Sequence, residues 1–211
     1  FKYTLLKAFF NFICANLDHP FSNPCDTKPL RKTFRVATGQ QWTILEKDVV
    51  DEIIFRTSNI RNRLLLELMA RGGMRIGEVL KLRVRNVDDC KLLIEQPKGG
   101  RQSEVVFIPK KVAERLREYI SSKSMKPDDR IFPIGYTGAR AAVKKAGLLV
   151  GVDLHPHDLR RHAATYASRS GAPLEIVSKI ILRHANLSTT QRYLGKVSDT
   201  EALRWIENIY R

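Results

Sequence analysis

Apolar positions recur at helical spacing along most of the chain and change to strand-like runs in one place. Residues 1–17 (FKYTLLKAFFNFICANL) have helical spacing, but Leu5, Leu6, Phe9, Phe10, Phe12 and Ile13 exceed what one face can hold. Such a helix must pack on a partner. Residues 18–41 lose the periodicity and mix Pro20, Pro24, Pro29 and Gly39 with Lys28, Arg31, Lys32 and Arg35, which reads as a basic linker. A domain begins near residue 42. Thr43 and Glu46 suit a capping box for a helix through about Arg56. A second helix covers roughly 60–72 and stops at Gly72-Gly73, and a short one after Met74 contains Arg75 and Glu78. Residues 91–95 (KLLIE) and 104–108 (EVVFI) read as a hairpin whose tip, 96–103, is polar and glycine-rich. Pro109 opens a helix to about Ser121. Further helices are expected at about 136–147, 157–170, 173–182 and 199–209, with Gly171 and Pro173 as a stop and start and Ser198 with Glu201 as another capping box. The fold class is therefore mainly α with a small antiparallel β-sheet.

Charge narrows the partner. The chain carries 37 Lys+Arg against 22 Asp+Glu, a net +15, with 43% hydrophobic residues. That hydrophobic share supports a real core and excludes a disordered basic tail. The charge favours a polyanion, meaning DNA, RNA or an anionic membrane surface. No apolar run approaches the roughly 18 residues that would span a bilayer, and no basic-then-apolar signal opens the chain. Cys14, Cys25 and Cys90 are odd in number and widely spaced, so a disulfide framework or zinc site is not expected and a reducing cytosol is the default. The chain opens on Phe1, which reads as a fragment or a processed form with a segment missing upstream.

The candidate chemistry concentrates between His157 and Tyr193. His157 and Arg160 stand at i and i+3 near a helix start, where backbone amides favour a phosphate. Leu182-Arg183-His184 follows, then Ser188-Thr189-Thr190-Gln191-Arg192-Tyr193. Upstream, a glycine pair precedes Arg75, letting the backbone approach a ligand closely, and Glu78 can orient Arg75 or cap its helix. Imidazoles, guanidinia and a phenol suit attack on a phosphodiester. Each feature also has a plain reading: a basic helical turn, a surface arginine, a solvated hairpin lysine at Lys98, a packed tyrosine beside Leu194. His155, His157 and His162 lack the spacing of a zinc site.

Taken in order, Arg75 in R-x-x-E, Lys98 in a β-hairpin, His157 and Arg160 in H-x-x-R, and His184 nine before Tyr193 resemble the tyrosine recombinase (phage integrase) family. GMRIGEVLKLRVRNVD and LSTTQRY are similar to the family pattern, and the resemblance covers about 42–211. It implies the integrase catalytic fold for 37–211. It implies for 1–36, with its Asn23-Pro24 step, the last helix and linker of a truncated N-terminal core-binding domain. It implies a site-specific DNA recombinase that cleaves and rejoins strands through a 3′-phosphotyrosyl link without metal, ATP or other cofactor. Arg75 and Arg160 would hold the scissile phosphate, and His184 would donate to it. Lys98 would protonate the leaving 5′ oxygen, His157 would assist proton transfer, Tyr193 would be the nucleophile, and Glu78 would support. The partners implied are double-stranded DNA and further copies in a tetramer joined by C-terminal helix exchange, with no membrane. The setting implied is cytoplasmic, DNA-associated and prokaryotic, of phage or mobile-element origin. One position departs from the family: Arg183 stands where Gly usually precedes the second histidine, and could reach a phosphate or displace His184. A type IB topoisomerase and a DNA-binding module without catalysis are the competing readings.

Overall fold

The computed structural model describes residues 2–17, 21–34, 44–95, 103–184, 187–191 and 194. The chain divides into two units, 1–41 and 42–211. In the first, α1 (Lys2–Asn16) is followed by a 3-10 turn at Pro24–Asp26 and by α2 (Lys28–Thr33). The stretch expected as a plain linker therefore holds a helix. Local bonds explain it: the Asn23 side chain accepts from Cys25 N–H at 2.8 Å, and the Phe34 amide donates to the Leu30 carbonyl at 2.9 Å. The Tyr3 and Phe34 rings stack at 4.6 Å. The apolar excess of α1 stays exposed at Leu5, Leu6, Phe9 and Phe12.

The second unit is built around α4 (Ile60–Gly72), which is buried nearly all round through Leu64, Leu65, Leu68 and Met69. Asn59 caps its start by accepting from the Asn62 amide at 3.1 Å. Gly73 ends it at φ 61°, the left-handed conformation that glycine adopts without a Cβ clash. Around it pack α3 (Lys47–Arg56), α5 (Ile76–Lys81), α6 (Lys110–Ser122), α7 (Tyr136–Leu148) and α8 (Pro156–Arg169). The buried Glu67 of α4 is held by the Arg115 guanidinium of α6, at 2.5 and 3.1 Å. Helix α3 starts at Lys47 with Glu46 as N-cap, and Glu46 makes no side-chain cap bond. The expected capping box is thus not formed by Glu46, and Thr43 lies outside the described residues.

The sheet has three antiparallel strands in the order β1 (Val87–Asp88), β2 (Lys91–Glu95) and β3 (Ser103–Phe107). Strand β1 is too short to show a period and was not expected. Leu92 pairs with Val106 and Ile94 with Glu104, so these four face inward, where three apolar residues and one acid meet the core. The segment 173–182, expected as an ordinary helix, contains a π-helix at Ile176–Ile181. It leads through Leu182, Arg183 and His184 to α9 (Leu187–Gln191). The expected hairpin tip with Lys98, the helix at 199–209 with its Ser198–Glu201 box, and Tyr193 lie outside the described residues. No helix among the described residues is long and apolar enough to cross a membrane.

Candidate active site

Arg75 is the N-cap of α5, so its side chain leaves the helix start rather than the helix wall. Glu78, one turn on, closes back on it. One carboxylate oxygen accepts from the Arg75 amide at 2.8 Å, and the other accepts from the Arg75 guanidinium at 2.6 Å. Both roles open to Glu78 from the sequence, orienting Arg75 and capping, are thus filled at once. Burial alone would raise the Glu78 pKa, but the charges of Arg183 and Arg75 outweigh it and hold the carboxyl below its ordinary range.

Arg160 lies in the first half of α8 and is 1% exposed. Its guanidinium donates to the Gly73 carbonyl and to the Leu182 carbonyl. One side chain therefore ties the end of α4 to the turn that precedes His184, and this fixes the plane of the guanidinium. Arg75, His157 and Arg160 line one cleft of about 230 Å³, together with Ile76, Tyr136, Arg140, His155 and Pro156. Tyr136 and Arg140 were not singled out in the sequence. Their i, i+4 spacing on α7 is the signal that places both on one face.

Helix α8 starts at Pro156, with His155 as its N-cap. Asp158 in its first turn accepts from the His155 amide at 2.9 Å and pairs with Arg161 at 3.2 Å. The bond to the His155 amide closes the helix start on its N-cap residue, and Arg75, Arg140 and Arg160 bring positive charge to the cleft. His162 turns away from the cleft, its Nδ1 donating to the Leu45 carbonyl at 2.9 Å. Among the described residues no His, Cys, Asp or Glu cluster is arranged to hold a metal ion.

His184 follows the π-helix. Its amide donates to the Ser178 carbonyl at 2.9 Å, and its Nδ1 lies 3.0 Å from the Thr190 hydroxyl, which donates to Ser178 Oγ at 2.8 Å. Its pKa is pushed down to about 4, by desolvation first and then by the charges of Arg160, Arg75 and Arg183. His157 is lowered as well, by partial desolvation in the cleft and then by Arg160 and Arg161. Both imidazoles are neutral near pH 7. The shared influence of Arg75 and Arg160 puts His184 within the same electrostatic field as the cleft.

Arg183 does not face that cleft. Its side chain is 3% exposed, with Nη2 donating to Glu78 Oε2 at 2.5 Å and Nε lying 3.3 Å from Glu104 Oε2. Of the two outcomes open from the sequence, a phosphate contact is removed because the guanidinium is committed to two carboxylates and, unlike that of Arg160, does not line the cleft. His184 keeps its own anchors to Ser178 and Thr190.

Comparison with known proteins gives one consistent picture. The model of the phage integrase family matches residues 43–199. A tyrosine recombinase of Pseudothermotoga lettingae is 30% identical over 205 residues, covering 93% of this chain and 69% of that protein. The tyrosine recombinase XerA of Pyrococcus horikoshii is 29% identical over 199 residues, covering 89% of this chain and 65% of the relative. The chain thus spans about two thirds of the length of these two curated relatives. Among solved structures, the fold is similar to XerA recombinase (TM-score 0.69, 22% identity, 100% of this chain and 75% of the other). It is also similar to the Tn1549 transposon integrase in complex with transposon right-end DNA (TM-score 0.72, 15% identity, 99% and 78%).

Proposed function

The chain belongs to the phage integrase family, the tyrosine recombinases, and from that premise we propose that it is a site-specific recombinase that cleaves and rejoins double-stranded DNA through Tyr193. The observation that carries the reading is the convergence of Arg75, His157 and Arg160 on one cleft, with His184 under the charge of both arginines. A net charge of +15 suits a DNA backbone.

In this reading the Tyr193 phenol attacks the scissile phosphorus. The Tyr193 Oη–phosphorus bond forms as the bond from phosphorus to the 5′ oxygen breaks. His157, neutral because its pKa is lowered, accepts the phenolic proton. Lys98 supplies a proton to the departing 5′ oxygen. Arg75 and Arg160 hold the non-bridging oxygens and stabilise the charge that builds on them in the transition state. The restraint on Arg75 by Glu78, and on Arg160 by two carbonyls, supports this role, because a preset donor needs no reorganisation as charge develops. His184 donates to the same phosphate through Nε2. Its Nδ1–H is used on Thr190, whose own proton goes to Ser178, so this donation needs the imidazolium, which a bound phosphate anion favours. The phosphotyrosyl link retains the energy of the broken phosphodiester, and a 5′ hydroxyl from a partner strand reverses it, so the cycle calls for no cofactor. Residues 1–36 act in this reading as the last part of a core-binding domain. Four copies assemble on two duplexes through exchange of the C-terminal segment.

The test is a nicked duplex carrying the DNA that flanks the gene, which loses a short fragment on cleavage and traps the intermediate. A covalent protein–DNA adduct on a denaturing gel, absent in Tyr193→Phe, is the expected result. An adduct that persists in Tyr193→Phe would move the nucleophile elsewhere. DNA binding with no adduct in the parent chain would overturn the strand-cleaving reading.

A further inference from the structure

Two features of this chain break local rules, and they meet. Arg183 holds a φ of 50°, in the left-handed region where a side chain is rarely found. Glu104 sits on β3 opposite Ile94 and faces the same side as the buried Val106, with its side chain 10% exposed. A carboxylate at an inward strand position is unfavourable unless it is paired. Arg183 pairs with it, 3.3 Å away. The same guanidinium also reaches Glu78, which in turn holds the amide and guanidinium of Arg75.

Three segments far apart in sequence thus share one buried charge cluster. They are the start of α5 with Arg75, strand β3 directly after the segment that carries Lys98, and the turn at 182–184 that ends in His184. Among the described residues the cluster sets the carboxylates of Glu78 and Glu104 against the guanidinia of Arg75 and Arg183. Removing Arg183 would take the buried cation from between Glu78 and Glu104, and Glu78 would no longer be held from both sides. Losing one partner of a buried ion pair is far more disruptive than replacing the whole pair.

We infer that Arg183 is a positioning residue for DNA cleavage, coupling β3 and the Arg75–Glu78 pair to the turn that presents His184. The inference rests on the recombinase reading above. It assigns Arg183 no contact with DNA, because its side chain is buried against carboxylates.

The experiment uses the full chain with Arg183→Met, Arg183→Lys, Glu104→Gln and the Arg183→Met, Glu104→Gln double variant. Single-turnover cleavage and affinity are measured on the same nicked duplex, with thermal unfolding alongside. Arg183→Met should slow cleavage by the bound protein roughly tenfold or more while affinity changes less than about threefold, and Arg183→Lys, which keeps the charge, should recover part of the rate. In the Glu104→Gln background the loss from Arg183→Met should shrink, since contacting residues are not additive. A rate that falls only with the folded fraction, or a loss shared equally between affinity and rate, would overturn the assignment. Amide hydrogen exchange reads the coupling without any DNA. Glu104→Gln should speed exchange at 181–184 as well as in its own strand, and an effect confined to 103–107 would refute it. If the parent chain forms no adduct, the proposed activity fails, and the exchange result still decides whether the coupling exists.

Discussion

The two halves of the site are held in different ways. Arg75 and its helix α5 stand on the main core, where Ile76, Val79 and Leu80 join Leu65, Leu68 and Met69. The segment that presents His184 rests on a much smaller cluster of Ala164, Val177 and Leu182. What that half lacks in apolar contact it has in polar contact. Arg160 holds the Leu182 carbonyl, Arg183 is pinned by Glu78 and Glu104, and Thr190 links His184 to Ser178. Close packing resists displacement of a whole helix. A polar network sets the direction of individual groups, and it fails when one member is lost. The first half should therefore tolerate changes of charge better than the second, and the second should answer more to pH and to single polar substitutions.

The hardest blow to this comparison would come through Arg160, which belongs to both halves. Arg160→Ala leaves the Gly73 and Leu182 carbonyls without their partner, at about 1–3 kcal/mol each. In the proposed mechanism it also removes a phosphate donor, for an expected loss on the order of 10²–10³-fold in cleavage rate. Chemical denaturation and single-turnover cleavage measure the two effects. Retention of near-parental cleavage would remove Arg160 from the site.

The contact between the halves can be probed without any charge. A Cβ on Gly73 would lie 2.7 Å from Ile181 Cγ2 and 2.8 Å from the Ile181 carbonyl oxygen, at a φ of 61°. Gly73→Ala should lower stability by about 1–3 kcal/mol. Gly77→Ala, three residues after Met74 in α5 with nothing within 4 Å of the added Cβ, should raise it by about 0.5–1 kcal/mol. Equal effects in a denaturation series would mean that the approach of Ile181 to Gly73 is not tight.

The smallest effect is the dependence on pH. His184 titrates at about 4 in the folded chain, against 6.5 for the free side chain. The unfolded chain therefore takes up this proton first as pH falls. The stabilising contribution is fully present above pH 6.5 and is lost as pH falls from 6.5 through about 4. His157 and His162, also lowered, act in the same direction. Solvent reaches His184, so the contribution is partly screened. In a series of melting temperatures, His184→Gln should flatten the slope between pH 6.5 and 4. An unchanged slope would mean that desolvation and the arginine charges do not lower the His184 pKa in the folded chain.

Legibility followed the range of the forces involved. The end of α4 at Gly72-Gly73, the opening of α6 after Pro109 and the short apolar run of β2 were readable because a glycine, a proline or an apolar run bounded by polar residues acts over a few residues. The pairing of Arg75 with Glu78 was readable for the same reason, at one helical turn. Strand β1 was missed because two residues carry no period, and α2 because Pro29 and basic residues hide a helix that closes through its own backbone. The π-helix at Ile176–Ile181 has the same apolar content as an ordinary helix, so pattern alone does not separate them.

By itself, then, the sequence determined the helical character of the chain, the small sheet, the strong net positive charge and the candidates proposed to act on a phosphodiester. These follow from side-chain chemistry and from spacing within one or two turns. Only the tertiary structure decided that Arg160 braces two backbone carbonyls 109 positions apart in the chain, and that the Asp158 carboxylate pairs with Arg161 as it accepts from the His155 amide. It alone decided that Arg183 turns inward to Glu78 and Glu104, which are 105 and 79 positions away in the numbering. The physical reason is that a buried charge must find its opposite wherever the fold brings one, and no local pattern records where that will be.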